Sequence, residues 1–305
     1  MLFSLLLWTG AAAASHTYGD SVSSTGDAEL VEVFHYLGDP QIGFGHQGWQ
    51  EDVKRFAQVA TIASDANATA VVIAGDLVNV WNSPQLVGGF DSVWPKDFKS
   101  ELTHLVPGNH DVNSEATTSG AFMEQLSHYR ATFGANYHSF SSEYAEFFLI
   151  DSESLIVPYL GMNGTTDPGV LNETAVQWQW LEAALRKANA TDKHKIIVSH
   201  HPPFLGQENE THQYFNMPLE PRQRLMALAR SYGVANILCG HTHTTTVRAT
   251  TDGISVFTVA GTARSFDKNG CGYRTLTVNR TSIVHEYHEL SEPFNCSSQA
   301  EEVPR

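Results

Sequence analysis

Residues 70–77 read Ala70-Val71-Val72-Ile73-Ala74-Gly75-Asp76-Leu77, an apolar, largely β-branched run that stops at a glycine and a carboxylate. Five apolar residues in succession leave no polar face, so the run predicts a strand buried on both sides. Runs of the same character lie on either side of it, at 31–37, 102–106, 147–150, 196–198 and 234–238. Between them come helical patterns at 50–64, 121–132, 173–190 and 221–232, and this alternation predicts an α/β fold. After Gly240 the pattern shortens to strand candidates at 244–250, 255–259, 273–278 and 282–287, which predict a second, more antiparallel sheet. The polar stretches 161–169 and 206–212 join these elements without periodicity and are expected as rim loops.

With 305 residues, 42% of them hydrophobic, the chain has enough apolar material for one sizeable core. Eighteen basic residues against 33 acidic ones give a net charge of −15, which argues against a nucleic-acid partner. The same charge does not exclude a phosphate substrate, because a bound cation dominates the field of its own site. The first 18 residues, with Leu2-Phe3-Ser4-Leu5-Leu6-Leu7-Trp8 before Ala11–Ala14, read as a signal peptide, though without a basic start. No stretch approaches the roughly 20 apolar residues of a membrane helix, so stable membrane insertion is not expected. Asn67, Asn163, Asn172, Asn189, Asn209, Asn279 and Asn295 each begin a sequon for N-linked glycans. Together these features predict a secreted or lumenal protein, whether extracellular, lysosomal or vacuolar. Of three cysteines, Cys271 and Cys296 are expected to pair, and Cys239, which ends an apolar run, to be a buried free thiol. Residues 28–290 are expected to form the folded domain, and 291–305 a flexible C-terminal tail.

Five of the apolar runs end in polar clusters: Gly38-Asp39-Pro40-Gln41, Gly75-Asp76, Gly108-Asn109-His110-Asp111, Ser199-His200-His201 and Gly240-His241-Thr242-His243. Each alone also reads as a turn, a helix cap or a pair of packed imidazoles. In an open α/β sheet, however, ligands gather outside the carboxyl ends of the strands, so all five clusters converge on one edge. Asp, Asn, Gln and His in that arrangement predict one metal site.

The ordered motifs Asp39-x-Gln41, Gly75-Asp76, Gly108-Asn109-His110-Asp111, Val198-Ser199-His200 and Gly240-His241-Thr242-His243 resemble those of the calcineurin-like metallophosphoesterase superfamily. The Asp-Pro-Gln form of the first motif, with the later Tyr214-Phe215-Asn216, is similar to the subgroup known from a cytosolic Ser/Thr phosphatase. The resemblance implies two packed mixed β-sheets flanked by helices, a four-layer sandwich. It implies two metal ions, divalent or mixed-valence Mn, Fe or Zn, with Mg also compatible with the amide ligand. One ion would take Asp39, Gln41 and His243, the other Asn109, His200 and His241, with Asp76 bridging. A metal-activated water would then attack the phosphorus of a phosphate ester. His110 would protonate the leaving group as general acid, with Asp111 holding its imidazole. Tyr214 and Asn216 are expected to contact substrate, and His201, beside a ligand, either to contact phosphate or to pack.

Two departures qualify the resemblance. Gln41 stands where many members carry His, and Asn79 stands where purple acid phosphatases carry Tyr, so no ferric-phenolate colour is expected. The leader and sequons also conflict with a cytosolic role, so only the chemistry carries over. The reading is a phosphomonoesterase of the acid- or protein-phosphatase kind; a phosphodiesterase acting on nucleotides or lipid head groups and a non-catalytic secreted metal-binding protein are the alternatives.

Overall fold

The computed structural model describes residues 30–93, 102–113, 118–160, 167–266, 268, 270–291 and 296. The leader, most of the C-terminal tail and the sequons at Asn163 and Asn295 lie outside the described residues.

In chain order the elements are β1 (Glu32–Leu37), α1 (Trp49–Asp65), β2 (Ala70–Ala74), α2 (Pro84–Asp91), β3 (Thr103–Val106) and α3 (Ser119–Phe133). They continue with β4 (His138–Ser141), β5 (Ala145–Ile150), α4 (Ser152–Ile156), α5 (Pro168–Ala188), β6 (His194–Ser199), α6 (Leu219–Ser231) and β7 (Val234–Cys239). The last strands are β8 (Val247–Ala249), β9 (Ser255–Thr258), β10 (Gly272–Val278) and β11 (Ile283–Glu289). They form two mixed sheets, ordered β11-β10-β1-β2-β3 and β4-β5-β6-β7-β9-β8.

Alternate residues of each buried strand face opposite ways, and this builds the layers. Val72, Phe147, Leu149, Val198 and Leu276 share one apolar cluster with both sheets in it, so the sheets pack face to face. The intervening Val71 and Ile73 pack instead with Phe56 and Val59 of α1 and Phe122 and Leu126 of α3. On the second sheet Phe148, Ile150 and Ile197 pack with Trp178 and Leu181 of α5 and Leu225 of α6. The layers are therefore helices, sheet, sheet, helices. The Tyr36 hydroxyl donates to the Cys239 carbonyl, joining the two sheets at their centre.

The late strands do not make a sheet of their own, as their spacing had suggested. β10 adds antiparallel to β1, with Glu32 opposite Val278, and β11 antiparallel to β10, whereas β9 joins β7 in parallel and β8 caps the edge. Helix α5 begins at Pro168, earlier than its periodicity predicts, because Asp167 caps it by accepting from the Gly169 and Val170 amides at 2.7 and 3.3 Å. The rim loop expected at 161–169 thus ends in a helix, and 161–166 lie outside the described residues. Cys271 and Cys296 form a disulfide and Cys239 is a buried free thiol.

Three histidines stack flat on aromatic rings. His35 stacks on Tyr273 at 5.3 Å, His104 on Phe140 at 3.6 Å and His285 on Phe257 at 3.8 Å between ring centroids. Burial holds all three down to about 4, with His288 acting also on His35, His138 on His104 and Arg274 on His285.

Candidate metal centre

The parallel strands β1, β2, β3, β6 and β7 end at one edge, and the five polar clusters leave from those ends. The loops are laced together by backbone. The Asp39 amide donates to the Gly75 carbonyl at 3.1 Å, and the Gln41 amide to the Asp76 carbonyl at 2.7 Å. The Asp39 carboxylate in turn accepts from the His241 amide at 3.0 Å, reaching from the first sheet to the second. Behind the first loop, buried Asp52 accepts from the Gly43 and Gly45 amides at 2.9 and 3.1 Å and pairs with Arg55 at 3.1 Å.

Six non-glycine residues have positive φ among the described residues, and five of them are expected ligands: Asp39 (49°), Gln41 (33°), Asp76 (51°), His241 (66°) and His243 (50°). Each such residue costs about 1 kcal/mol or more and persists only where its surroundings over-determine it. The glycines before them permit the crowding. A Cβ on Gly108 would lie 2.2 Å from Asp76 Oδ1, and one on Gly75, itself at φ 86°, would lie 2.6 Å from His200 Nδ1.

Asp76 stands between two groups of donors. On one side, donor atoms of Asp39, Asp76 and His243 all lie within 4.8 Å of one another. On the other, His200 Nε2 is 3.5 Å from Asp76 Oδ1 and 3.0 Å from Asn109 Oδ1. The His241 ring sits 4.9 Å from that of His200. Backbone carbonyls select the tautomers, since a carbonyl only accepts. His200 and His243 donate from Nδ1 to the carbonyls of Ala74 and Arg264 at 2.8 and 2.9 Å, which leaves Nε2 as the free lone pair. His241 donates from Nε2 to the Tyr214 carbonyl at 2.9 Å, which leaves Nδ1.

Three observations fit this donor set to cations. Gln41 Oε1 is buried with no hydrogen-bond partner among the described residues, while its Nε2 donates to Asn79 Oδ1 at 3.3 Å and so fixes which end of the amide faces inward. Burial keeps all three imidazoles neutral, the form that ligates: His200 is held to about 3, His243 to about 4, and His241 well below its ordinary value. Burial, reinforced by Asp76, pushes Asp39 well above the usual carboxylate range, so a neighbouring cation is what would keep it ionised.

His110 and Asp111 part company. The Asp111 carboxylate does not touch the imidazole; it accepts from the amides of Leu77, Val78 and Gly108 at 3.0, 3.2 and 2.9 Å, tying β2's loop to β3's. Its expected role as the imidazole's partner is therefore replaced by the Asn79 carbonyl, 3.0 Å from His110 Nδ1. Asn216 also departs from expectation. It is fully buried, and its amide is spent on Gln213, Glu210 and Thr211 within its own loop rather than turned to a substrate. Tyr214 is half exposed, and its hydroxyl accepts from Asn109 Nδ2 at 3.1 Å. His201 is buried against the His241 ring at 4.0 Å, with Nδ1 2.8 Å from Glu153, close enough for an ion pair but poorly aligned for a hydrogen bond.

Above the donors lies a cleft of about 360 Å³, lined by Gln41, Asp76, His110, His241 and His243 together with Phe44, Tyr214, Phe215 and Phe266. Neither Phe44, Phe266 nor Glu153 carries a signal in the sequence, because none stands at a strand end or in a motif. Asn79 does carry one, three residues after Asp76, but there it marks only the absence of a tyrosine.

The chain is 24% identical to serine/threonine-protein phosphatase CPPED1 of Rattus norvegicus over 301 residues, covering 90% of this chain and 89% of the relative. Among solved structures it is similar to a dimetal phosphatase from Danio rerio (TM-score 0.59, 15% identity, 83% of this chain and 98% of the other). It is also similar to GAP50, the anchor in the inner membrane complex of Plasmodium (TM-score 0.56, 16% identity, 89% and 86%). These structural likenesses show the shared fold. The model of the calcineurin-like phosphoesterase family matches residues 33–245, from the first strand through the last histidine motif, and the chain belongs to that family of metal-dependent phosphoesterases.

Proposed function

We propose that this chain is a secreted phosphomonoesterase with a dinuclear centre, in which His110 protonates the leaving oxygen. The observation that carries the reading is the placement of Asp76 between the Asp39/His243 group and the Asn109/His200 group, on the floor of a cleft that His110 lines. Asp39, Gln41, Asp76 and His243 would hold one cation, and Asp76, Asn109, His200 and His241 the other. When bound, such cations supply Lewis acidity toward a phosphoryl oxygen and acidify water.

The chain's own residues do the rest. The Asn79 carbonyl keeps a proton on His110 Nδ1. The proton to be transferred is therefore the one on Nε2, and its loss leaves a neutral imidazole already held in the right tautomer. The His110 amide donates to Asp76 Oδ1 at 2.9 Å, so the acid is fixed relative to the central carboxylate. The fold also serves a protein described as an anchor. A non-catalytic binder of cations, however, gains nothing from an imidazole aligned beside them.

Secretion is supported by the disulfide. It is supported too by the exposure of the sequon residues Asn67, Asn172, Asn189 and Asn209. In this reading residues 1–18 are a leader, 28–290 the catalytic domain and 291–305 a tail, and the substrate is met outside the cytosol. The test is turnover of p-nitrophenyl phosphate against bis(p-nitrophenyl) phosphate by chain from a secretory host loaded with Mn²⁺, Zn²⁺ or Fe²⁺. Metal-dependent hydrolysis that favours the monoester and disappears in Asp76→Asn is the expected result. Preference for the diester would overturn the monoesterase reading, and absence of turnover with either ester would overturn the enzyme.

A further inference from the structure

Around a polar floor, solvent-facing aromatic side chains are costly to leave bare, and four of them surround this one. They form two pairs. Phe44, from the loop after β1, and Phe266, from the loop after β9, meet edge to face with centroids 6.3 Å apart, and both pack on His243, at 5.3 and 4.8 Å. Tyr214 and Phe215, from the loop before α6, meet edge to face at 5.0 Å, and both pack on His241, at 4.9 and 5.5 Å. The two outer histidines of one His-x-His motif thus each carry an aromatic wall. None of the four rings belongs to a core cluster.

The Phe44/Phe266 wall is braced. The Arg264 guanidinium lies over both Phe44 and Phe266, at 5.0 and 5.1 Å, while the Arg264 carbonyl holds His243. The Phe266 amide donates to the His243 carbonyl at 2.8 Å.

We propose that this cleft selects phosphate monoesters whose leaving oxygen sits on a planar aromatic ring, the aryl phosphates, with the ring received between the two aromatic walls. The inference rests on the phosphoesterase reading and specifies its substrate class. The rings line the same cleft as Gln41, Asp76, His241 and His243, so the ester arm of a phosphoryl group held there would meet them. There an aromatic arm gains both apolar burial and oriented ring contacts. A short hydrophilic arm such as a seryl or glyceryl group gains neither.

Binding tests this without any need for turnover. Phenyl-, cyclohexyl- and methylphosphonate are titrated calorimetrically into the Mn²⁺-loaded full chain. Phenylphosphonate is expected to bind about 10-fold more tightly than methylphosphonate and measurably more tightly than cyclohexylphosphonate. Phe215→Leu and Phe266→Leu keep apolar volume but remove a ring, and each is expected to bring the phenyl-to-cyclohexyl ratio toward one. Equal binding of the phenyl and methyl compounds would overturn the proposal. So would a phenyl-to-cyclohexyl ratio that neither variant moves. Failure of the phosphoesterase reading shows itself separately, as absent ester turnover with the phosphonate ratios intact.

Discussion

Asp76 and Phe215 border the same cleft, yet Asp76 is fixed by the His110 and Gln41 amides while Phe215 packs on the Tyr214 and His241 rings. The floor around Asp76 is buried, strained at five backbone positions and locked by carbonyls that choose each imidazole's tautomer. The walls are partly exposed rings on loops, joined by edge contacts and one guanidinium. The contrast teaches where change is tolerated. Chemistry that needs fixed atoms sits where backbone, burial and hydrogen bonding agree, and selectivity sits where a side chain can be exchanged without disturbing them.

The sharpest break comes from the floor. Asp76→Asn is expected to lower kcat/KM by more than about 100-fold, beyond the loss typical of outer-shell partners, as read with p-nitrophenyl phosphate at saturating metal. Next, His110→Gln is expected to reduce kcat about 100-fold or more for an alkyl phosphate. Its effect on p-nitrophenyl phosphate is smaller, because that leaving group needs no proton. Equal losses on both esters would remove His110 from the acid's role. Asp111→Asn separates scaffold from chemistry. Turning an amide NH₂ toward three backbone donors is expected to cost about 2–3 kcal/mol of stability, measured by denaturant unfolding, while the pH profile of kcat keeps its shape.

The smallest expected effect lies outside the cleft. His35, His104 and His285 are held neutral at about 4 in the fold, below the ~6.5 of an unfolded imidazole. The unfolded chain therefore binds protons first. Their stabilisation is complete above pH 6.5 and is lost as pH falls toward 4. Neither ring nitrogen of His285 has a hydrogen-bond partner among the described residues. His285→Phe is accordingly expected to raise stability and to flatten part of that acid limb in unfolding titrations between pH 4 and 7.

Much of this was legible in the residues and some was not, for physical reasons. The parallel strands announce themselves because burial on both faces demands unbroken apolar runs, as in Ala70–Ala74. β4, with the polar sequence His-Ser-Phe-Ser, is an edge strand and carries no such demand. α2 has a Ser83 cap and Pro84 at its start, but eight residues with two glycines give too short a period to read. The sheet to which β10 belongs depends on a partner more than 200 residues away, and no local pattern encodes that. The meeting of the five polar clusters at one edge was legible because strand ends fix where they converge. The partners of Asp111 and Asn216 were not, because an acceptor of backbone amides has no sequence signature.

The left-handed backbone at Asp39, Gln41, Asp76, His241 and His243 has a consequence for the life of the protein as well as for its chemistry. Strain and like charge are carried by the polypeptide from the moment it folds, and cations that bind only the native form offset them by mass action, by about 4 kcal/mol at a thousandfold excess over Kd. On the proposed metal-bound reading, metal supply during synthesis would set how much folded protein survives proteolysis, long before any substrate arrives.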